Sequence, residues 1–323
     1  MVGDSKAKSK HRIGRLIDRF SNLPPGLHTP KGAAHTGSNT PAACQMKFPQ
    51  SCCGGRGYIL EAEGPVIAAR MCNCVLKCEI CQGQSRMVID GVARSCVEPS
   101  PRKISGILSS AQLPARYLNS SFDSFANSSG NGRQVAARLQ KWAQVFSPSV
   151  SSGLLIGGSV GVGKTFLLVA LAKCLAARGY SVCFADFFQL LSELKAGYSD
   201  GKADPHMMAP LMSCDVLIID ELGKGRNTEW ERTIADTLIA GRYNQKRSVV
   251  ASTNYSLTAD SGPAMSFNID LERAMGSPRS DFSPEVFGSL ESRLGSRVFS
   301  RLRETMEFTE LTGDDFRRRG TRG

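Results

Sequence analysis

The stretch GGSVGVGKTF (Gly157–Phe166) constrains this chain more than any other. Its centre, Gly158 to Thr165, fits the pattern G-x-x-x-x-G-K-[ST] without a mismatch. An apolar run, GLLIG, comes directly before it, and the helix-forming run KTFLLVALAKCLAARG follows. A glycine turn between a strand and a helix aims successive backbone N–H groups inward, and the positive end of the helix reinforces them. That strand–turn–helix setting is what the motif needs to bind the phosphates of a nucleotide. Gly158, Ser159, Val160, Gly161, Val162, Gly163, Lys164, Thr165 and Phe166 are therefore the expected ATP-binding residues. Lys164 would reach the β- and γ-phosphates, and Thr165 would ligate Mg2+.

A nucleotide site also needs an acid for the metal. CDVLIIDELG offers a strand of four apolar residues that ends in Asp220 and Glu221. Asp220 is expected to hold Mg2+ through its second shell, and Glu221 to orient and polarise the attacking water. A third run, RSVVASTN, reads as another buried strand with Ser252, Thr253 and Asn254 at its tip. The Asn254 amide is suited to the γ-phosphate and the water, although Thr-Asn also ends strands for turn reasons. In LESRLGSRVFSRLRET, Arg293, Arg297 and Arg301 fall at i, i+4 and i+8, the spacing of one helical face. The plain reading is a solvated basic helix. The sharper one is an arginine that reaches the γ-phosphate of a neighbouring subunit, which only an oligomer can use.

Strand signals (GLLIG, SVCFAD, DVLIID, RSVVAST) alternate with helix signals (KTFLLVALAKCLAARG, FFQLLSELKAG, EWERTIADTLIAGRYN). That alternation predicts an α/β fold, a parallel sheet sandwiched by helices. It occupies residues 105–312. Residues 1–43 are rich in Lys, Ser, Pro, Gly and Thr and read as a disordered basic tail. Within that tail, Arg12–Phe20 has apolar residues at helical spacing between arginines, the pattern of a short basic helix that docks on a partner. Residues 313–323 form a second basic tail.

Residues 44–104 hold eight of the eleven cysteines and little that could make a core. CCGGRGYILEAEGPVIAARMCNC aligns weakly with CEICQGQSRMVIDGVARSC, each unit running from a glycine turn through a hairpin stretch to Ala-Arg-x-Cys. This is the layout of a zinc ribbon, in which glycines let backbone amides approach thiolates. Cys52, Cys53, Cys72, Cys74, Cys78, Cys81 and Cys96 are the expected Zn2+ ligands, and they serve either two ions or one ion with spare thiols. Cys174, Cys183 and Cys214 lie in apolar runs and read as core residues.

The charge is distinctive: 40 Lys and Arg against 29 Asp and Glu, a net +11. Clustered cations release counterions from nucleic acid, so a polyanionic partner is one reading and solubility the other. No stretch approaches the roughly 20 apolar residues of a membrane span. With no signal-peptide core after the basic start, a cytoplasmic protein is expected, where thiols stay reduced and clustered cysteines mean metal.

Together these pieces resemble the AAA+ ATPases of the DnaC and DnaI helicase-loader group and the related IstB ATPases. The resemblance rests on LPARYLNSSFDSF (Leu113–Phe125), GGSVGVGKTF, GYSVCFADFFQLLSELKAGY, DVLIIDELG, EW, GRYN, STN and LGSRVFSRLRETMEFTELTGDDFR. It implies a parallel sheet with the acidic and sensor strands beside the loop strand and no large helical lid. It implies Asn254 as a sensor residue and Arg297 or Arg301 as an intersubunit arginine, with Arg301 preferred. It also implies self-association, single-stranded DNA and a hexameric replicative DNA helicase as partners, with the cysteine region resembling the helicase-contacting zinc module of some loaders. Residues 256–288 form a longer connection than that group usually has. Two other readings share these residues: an IstB-like transposition ATPase on duplex DNA, and a zinc-based adaptor that binds nucleotide as a switch.

Overall fold

The computed structural model describes residues 50–77, 81, 86–89, 91–95, 99–125, 130–149, 152–199, 205–258 and 288–317. The basic segment Arg12–Phe20, Cys44, Cys78, Cys96, most of the 256–288 connection and residues 318–323 lie outside them.

Five strands form the central sheet: β5 (Gly153–Gly157), β6 (Val182–Asp186), β7 (Val216–Asp220), β8 (Ser248–Ser252) and β9 (Met306–Glu310). All neighbours run parallel, in the order β6-β7-β8-β5-β9. β5, β7 and β8 are buried at every residue, as strands covered on both faces must be. Their side chains divide by the two-residue period of a strand. Leu154, Ile156, Phe184, Ile218 and Val250 enter one core. Leu155, Cys183, Leu217, Ile219, Val249 and Ala251 enter the other.

The first core is closed by α2 (Pro101–Ser110), α3 (Gly132–Val145) and α4 (Lys164–Ala177). Leu167 to Ala172, Leu175 and Ala176 of α4 are apolar and buried, which marks it as an inner helix. α2 starts at Pro101, whose missing N–H costs nothing at a first helical position, and Ser100 accepts from Lys103 N. The second core is closed by α5 (Phe187–Ser199), α6 (Pro205–Ser213), α7 (Glu229–Asn244), α8 (Leu290–Leu294) and α9 (Ser296–Thr305). A capping box, Thr228 with Glu231, starts α7.

The cysteine region folds as the repeat predicts, into two antiparallel hairpins. One is β1 (Tyr58–Glu63) with β2 (Val66–Met71); the other is β3 (Arg86–Ile89) with β4 (Val92–Ser95). A short helix, α1 (Gln50–Cys53), leads into the first. That first hairpin sits on the ATP-loop core. Ile67, fully buried, and Tyr58 join the same apolar cluster as the sheet. Ile67 N donates to Leu113 O at 2.7 Å, and Ala115 N to Pro65 O at 2.8 Å. The Ser109 hydroxyl bridges the N–H and C=O of Ala69.

Three elements differ from the sequence expectations. LESRLGSRVFSRLRET is two helices, because Gly295 (φ +84°) separates α8 from α9, so Arg293, Arg297 and Arg301 do not line one helical face. β9 joins the sheet where no strand was expected. The acidic strand β7 is one place removed from the loop strand β5, with β8 between them.

Arg242 on α7 is completely buried and donates to the carbonyls of Leu211, Cys214, Asp215 and Ser248. It joins the end of α6 to the starts of β7 and β8. Arg242→Ala removes those four bonds, leaving Cys214 O with Arg247 as its remaining guanidinium donor, and is expected to cost about 3 kcal/mol. Urea unfolding should show the midpoint falling with an unchanged m-value.

Candidate functional site

The strand tips of β5, β6, β7 and β8 meet the start of α4, and the chemistry of the site gathers there. The loop between β5 and α4 bends through positive φ at Gly158 (+144°), Gly161 (+86°) and Gly163 (+100°), which side-chain-bearing residues rarely adopt. Space reinforces the choice. A Cβ on Gly163 would lie 2.6 Å from the Phe125 ring, and one on Gly158 would strike the Leu311 carbonyl.

Lys164 begins α4 and is almost fully buried. Its Nζ donates to the carbonyls of Gly158 and Ser159, both at 2.8 Å. Burial lowers it to about 8, against the opposing pull of the Asp220 and Glu221 charges; the Arg317 charge also lowers it. The two carboxylates therefore face the same lysine as the glycine loop.

Asp220, at the end of β7, is buried with both carboxylate oxygens occupied. Thr165 Oγ1 donates to Oδ2 at 2.7 Å, and the Ser252 hydroxyl donates to Oδ1. Burial raises the Asp220 carboxyl above its usual range, while the Ser252 and Thr165 hydroxyls oppose the shift. A hydroxyl and a carboxylate at hydrogen-bond distance are hard oxygen donors that suit Mg2+. Thr165 and Asp220 are thus the residues that would hold it.

Glu221 takes up φ +55°, uncommon for a residue with a side chain and the kind of strain often found at functional sites. Ser252 holds it there: Glu221 N donates to Ser252 Oγ at 3.1 Å, and Leu222 N to Ser252 O at 2.7 Å. The Glu221 carboxylate pairs with Lys224. Asn254 follows β8, half-buried, just past Thr253, whose N–H donates to Ile156 O at 2.9 Å.

The arginines separate. Arg293 donates to the carbonyls of Gly223 and Gly225 in the loop after β7. Arg301 pairs with Asp236 of α7 at 2.6 Å, inside its own chain. Arg297 is exposed. Phe166 packs edge-on to Tyr117 and tilted against Phe125, and Val162 is fully buried.

Four site neighbours were given no role from the sequence, although Ser252 was noted at its strand tip. Ser252 bridges Asp220 and Glu221. Asp186 ends β6 directly beside Asp220 in register. Phe316 N donates to Gly161 O at 3.1 Å, so the last described segment crosses the glycine loop. Lys173 of α4 donates to the carbonyls of Tyr117, Leu118 and Ser120, tying the lead-in to the loop helix. Polar strand tips signalled the first two; long-range contacts created the others.

A second cluster lies beyond the first hairpin. The sulfurs of Cys52, Cys53, Cys72 and Cys74 all lie within 4.8 Å of one another. Cys53 Sγ is 3.6 Å from Cys74 Sγ, and Cys72 Sγ is 3.5 Å from Cys52 Sγ. A tetrahedron with Zn–S bonds of about 2.3 Å has edges near 3.8 Å, so the donor set fits zinc. Gly57 N approaches Cys53 Sγ at 3.2 Å, the amide-to-sulfur contact that the glycines permit. A backbone hydrogen bond from Cys74 lowers the Cys72 thiol to about 7. Cys81 is buried and stands outside this group of four. Cys183 and Cys214 are buried core residues, and Cys174 is partly buried.

A parallel sheet with a glycine loop and lysine after one strand, and a buried aspartate followed by glutamate at the tip of another, defines a P-loop ATPase of the AAA+ class. The chain belongs to the IstB-like ATP binding protein family, whose model matches residues 87–261. The replicative helicase loader DnaC of Buchnera aphidicola subsp. Acyrthosiphon pisum is 26% identical over 175 residues, 54% of this chain and 70% of that protein. A crystal structure of the DnaC helicase loader superposes with TM-score 0.48 at 28% identity, covering 61% of this chain and 99% of that one. The DnaI crystal structure gives TM-score 0.45 at 19% identity, covering 62% and 93%. No helix among the described residues is long and apolar enough to cross a membrane.

The depressed lysine gives a signed pH dependence. Only protonated Lys164 attracts phosphate, and its value near 8 means the charge is lost as pH rises through 8. The Kd for ATP should therefore rise about tenfold per pH unit above 8.5, measured with a fluorescent nucleotide. A lysine with an ordinary value would leave Kd flat to about pH 10.

Proposed function

We propose that this chain is an ATP-driven helicase loader that assembles on single-stranded DNA and delivers or remodels a hexameric replicative helicase in the cytoplasm. The reading is supported by its similarity to DnaC along 70% of that protein, joined to Lys164, Asp220 and Glu221 gathered at one strand edge. The backbone amides of residues 158–165 cradle the phosphates, and Lys164 neutralises their outer charge. Mg2+, when bound, offsets charge between the β- and γ-phosphates. Glu221 accepts the proton of the attacking water, and Asn254 orients that water. ADP and phosphate are the products.

Completion of the site needs a neighbour. Arg297, exposed on α9, reaches the γ-phosphate of the next subunit in an oligomer, and Arg301 follows if its pair with Asp236 opens on assembly. Residues 105–312 carry the ATPase, and the zinc module within residues 44–104 contacts the helicase. The four thiolates of Cys52, Cys53, Cys72 and Cys74 hold one zinc ion, while Cys78, Cys81 and Cys96 are candidates for a second.

Metal analysis should find one or two zinc equivalents per chain, and Cys74→Ser should lose one of them. An absence of zinc from the purified parent would remove the module.

Glu221→Gln is expected to slow ATP turnover at least a hundredfold while nucleotide still binds. The parent should co-elute with the hexameric helicase in at least one nucleotide state. A parent that turns over no faster than Glu221→Gln with DNA present would sink the ATPase reading. Failure to co-elute with ATP, with ADP and without nucleotide would sink the loader reading. A preference for duplex over single strands would favour the transposition alternative.

A further inference from the structure

The hairpin that carries the thiol cluster has little core of its own. Among its described residues the buried side chains are Cys53, Tyr58, Ile67, Cys72 and Val75. Two of these are thiols of the cluster, and Tyr58 and Ile67 pack into the ATPase core instead of against each other's strand. A segment so poor in apolar contacts orders itself when something else holds its ends, and four thiolates around zinc supply folding free energy of that kind. The cluster sits at the open end of the hairpin, where Cys72 N donates to Gly57 O at 2.9 Å and closes the two strands together.

Two seams run from this hairpin towards the nucleotide loop. Along the first, β2 binds the lead-in: Ile67 N donates to Leu113 O, Ala115 N donates to Pro65 O, and the Ser109 hydroxyl of α2 bridges the N–H and C=O of Ala69. The second starts inside the cysteine turn. Arg56 donates from Nε to Cys53 O at 3.0 Å, and its guanidinium lies 5.6 Å from the centre of the Tyr58 ring. The Arg56 charge is felt at Lys173 of α4, whose Nζ holds the carbonyls of Tyr117, Leu118 and Ser120. Both seams therefore fix the same stretch, and that stretch ends on the phosphate loop. The Phe125 ring abuts Gly163, and Tyr117 packs edge-on against Phe166 in the first turn of α4.

We infer that the four-thiolate centre and the nucleotide loop are thermodynamically coupled: zinc at Cys52, Cys53, Cys72 and Cys74 orders the first hairpin, the hairpin fixes the Leu113–Phe125 lead-in against α4, and each ligand thereby tightens the binding of the other. The two states are the hairpin docked with metal and loosened without it. Linkage makes the effect reciprocal, so ATP must protect zinc by the factor with which zinc favours ATP. The inference rests on the ATP and zinc readings given under Proposed function.

The test compares the full chain with zinc bound and after stripping by a chelator, with the Kd for ATP read from a fluorescent nucleotide. Stripping should raise that Kd about tenfold, within the usual range for coupled sites. The reciprocal measurement needs only the folded, zinc-loaded chain: ATP with Mg2+ should weaken capture of the zinc by a chromophoric chelator by the same factor. Lys164→Ala should abolish this protection, which separates it from metal binding by the nucleotide itself. Ser109→Ala leaves every thiol in place and should shrink both effects to about threefold or less, as the loss of one bridging hydroxyl weakens the seam. Equal Kd for ATP with and without zinc, or zinc capture untouched by ATP, overturns the coupling. Undiminished coupling in Ser109→Ala overturns the hairpin seam as its path. Protection that survives in Lys164→Ala overturns the phosphate loop as its source. A purified parent that holds no zinc, or that binds no ATP, removes instead the corresponding reading beneath it.

Discussion

The Asp220 carboxylate is the constraint on which the site depends. It is buried at a strand tip, where an unpaired charge would be costly, and the fold supplies two hydroxyl donors. Thr165 comes from the loop helix and Ser252 from the neighbouring strand. One side chain therefore registers three segments: the start of α4, the end of β7 and the end of β8. Through Ser252 the same stitch sets the position of Glu221 and Leu222. The acid that suits a cation and the acid that suits a water share one brace.

The glycine loop is enclosed on its other sides by segments remote in sequence. The lead-in reaches it through Phe125 at Gly163, held by Lys173. The chain after β9 reaches it through Leu311, whose N–H donates to Gly157 O, and through Phe316. The lead-in also pairs with the edge of the first hairpin, so the cysteine centre is built onto the same body that holds the nucleotide loop. Glycine at 158 and 163 answers to this crowding as well as to backbone conformation.

Much of this was legible from local pattern. The glycine motif, its flanking strand and helix, and the carboxylate-tipped strand DVLIID are contiguous in sequence, so the local rules that form them can be read there. The cysteine repeat likewise indicated two hairpins. The arginine row failed because spacing alone carries no sign of a break, and Gly295 turns the chain between Arg293 and Arg297. β9 was hidden for a related reason: MEFTE is short and half polar, and only the β5 edge makes it a strand.

The sequence by itself determined the class of chemistry: a phosphate cradle, a lysine, a hydroxyl and two acids on separate elements, with a thiol-rich region ahead of them. Those features are local, set by residue type and short spacing. Tertiary structure alone decided the pairings. It brought the sulfurs of four cysteines within 4.8 Å of one another, placed Ser252 between the two acids, committed Arg301 to Asp236 and left Arg297 exposed. Such choices depend on which distant segments the two apolar cores bring within bonding distance, and no short-range pattern in the chain encodes that.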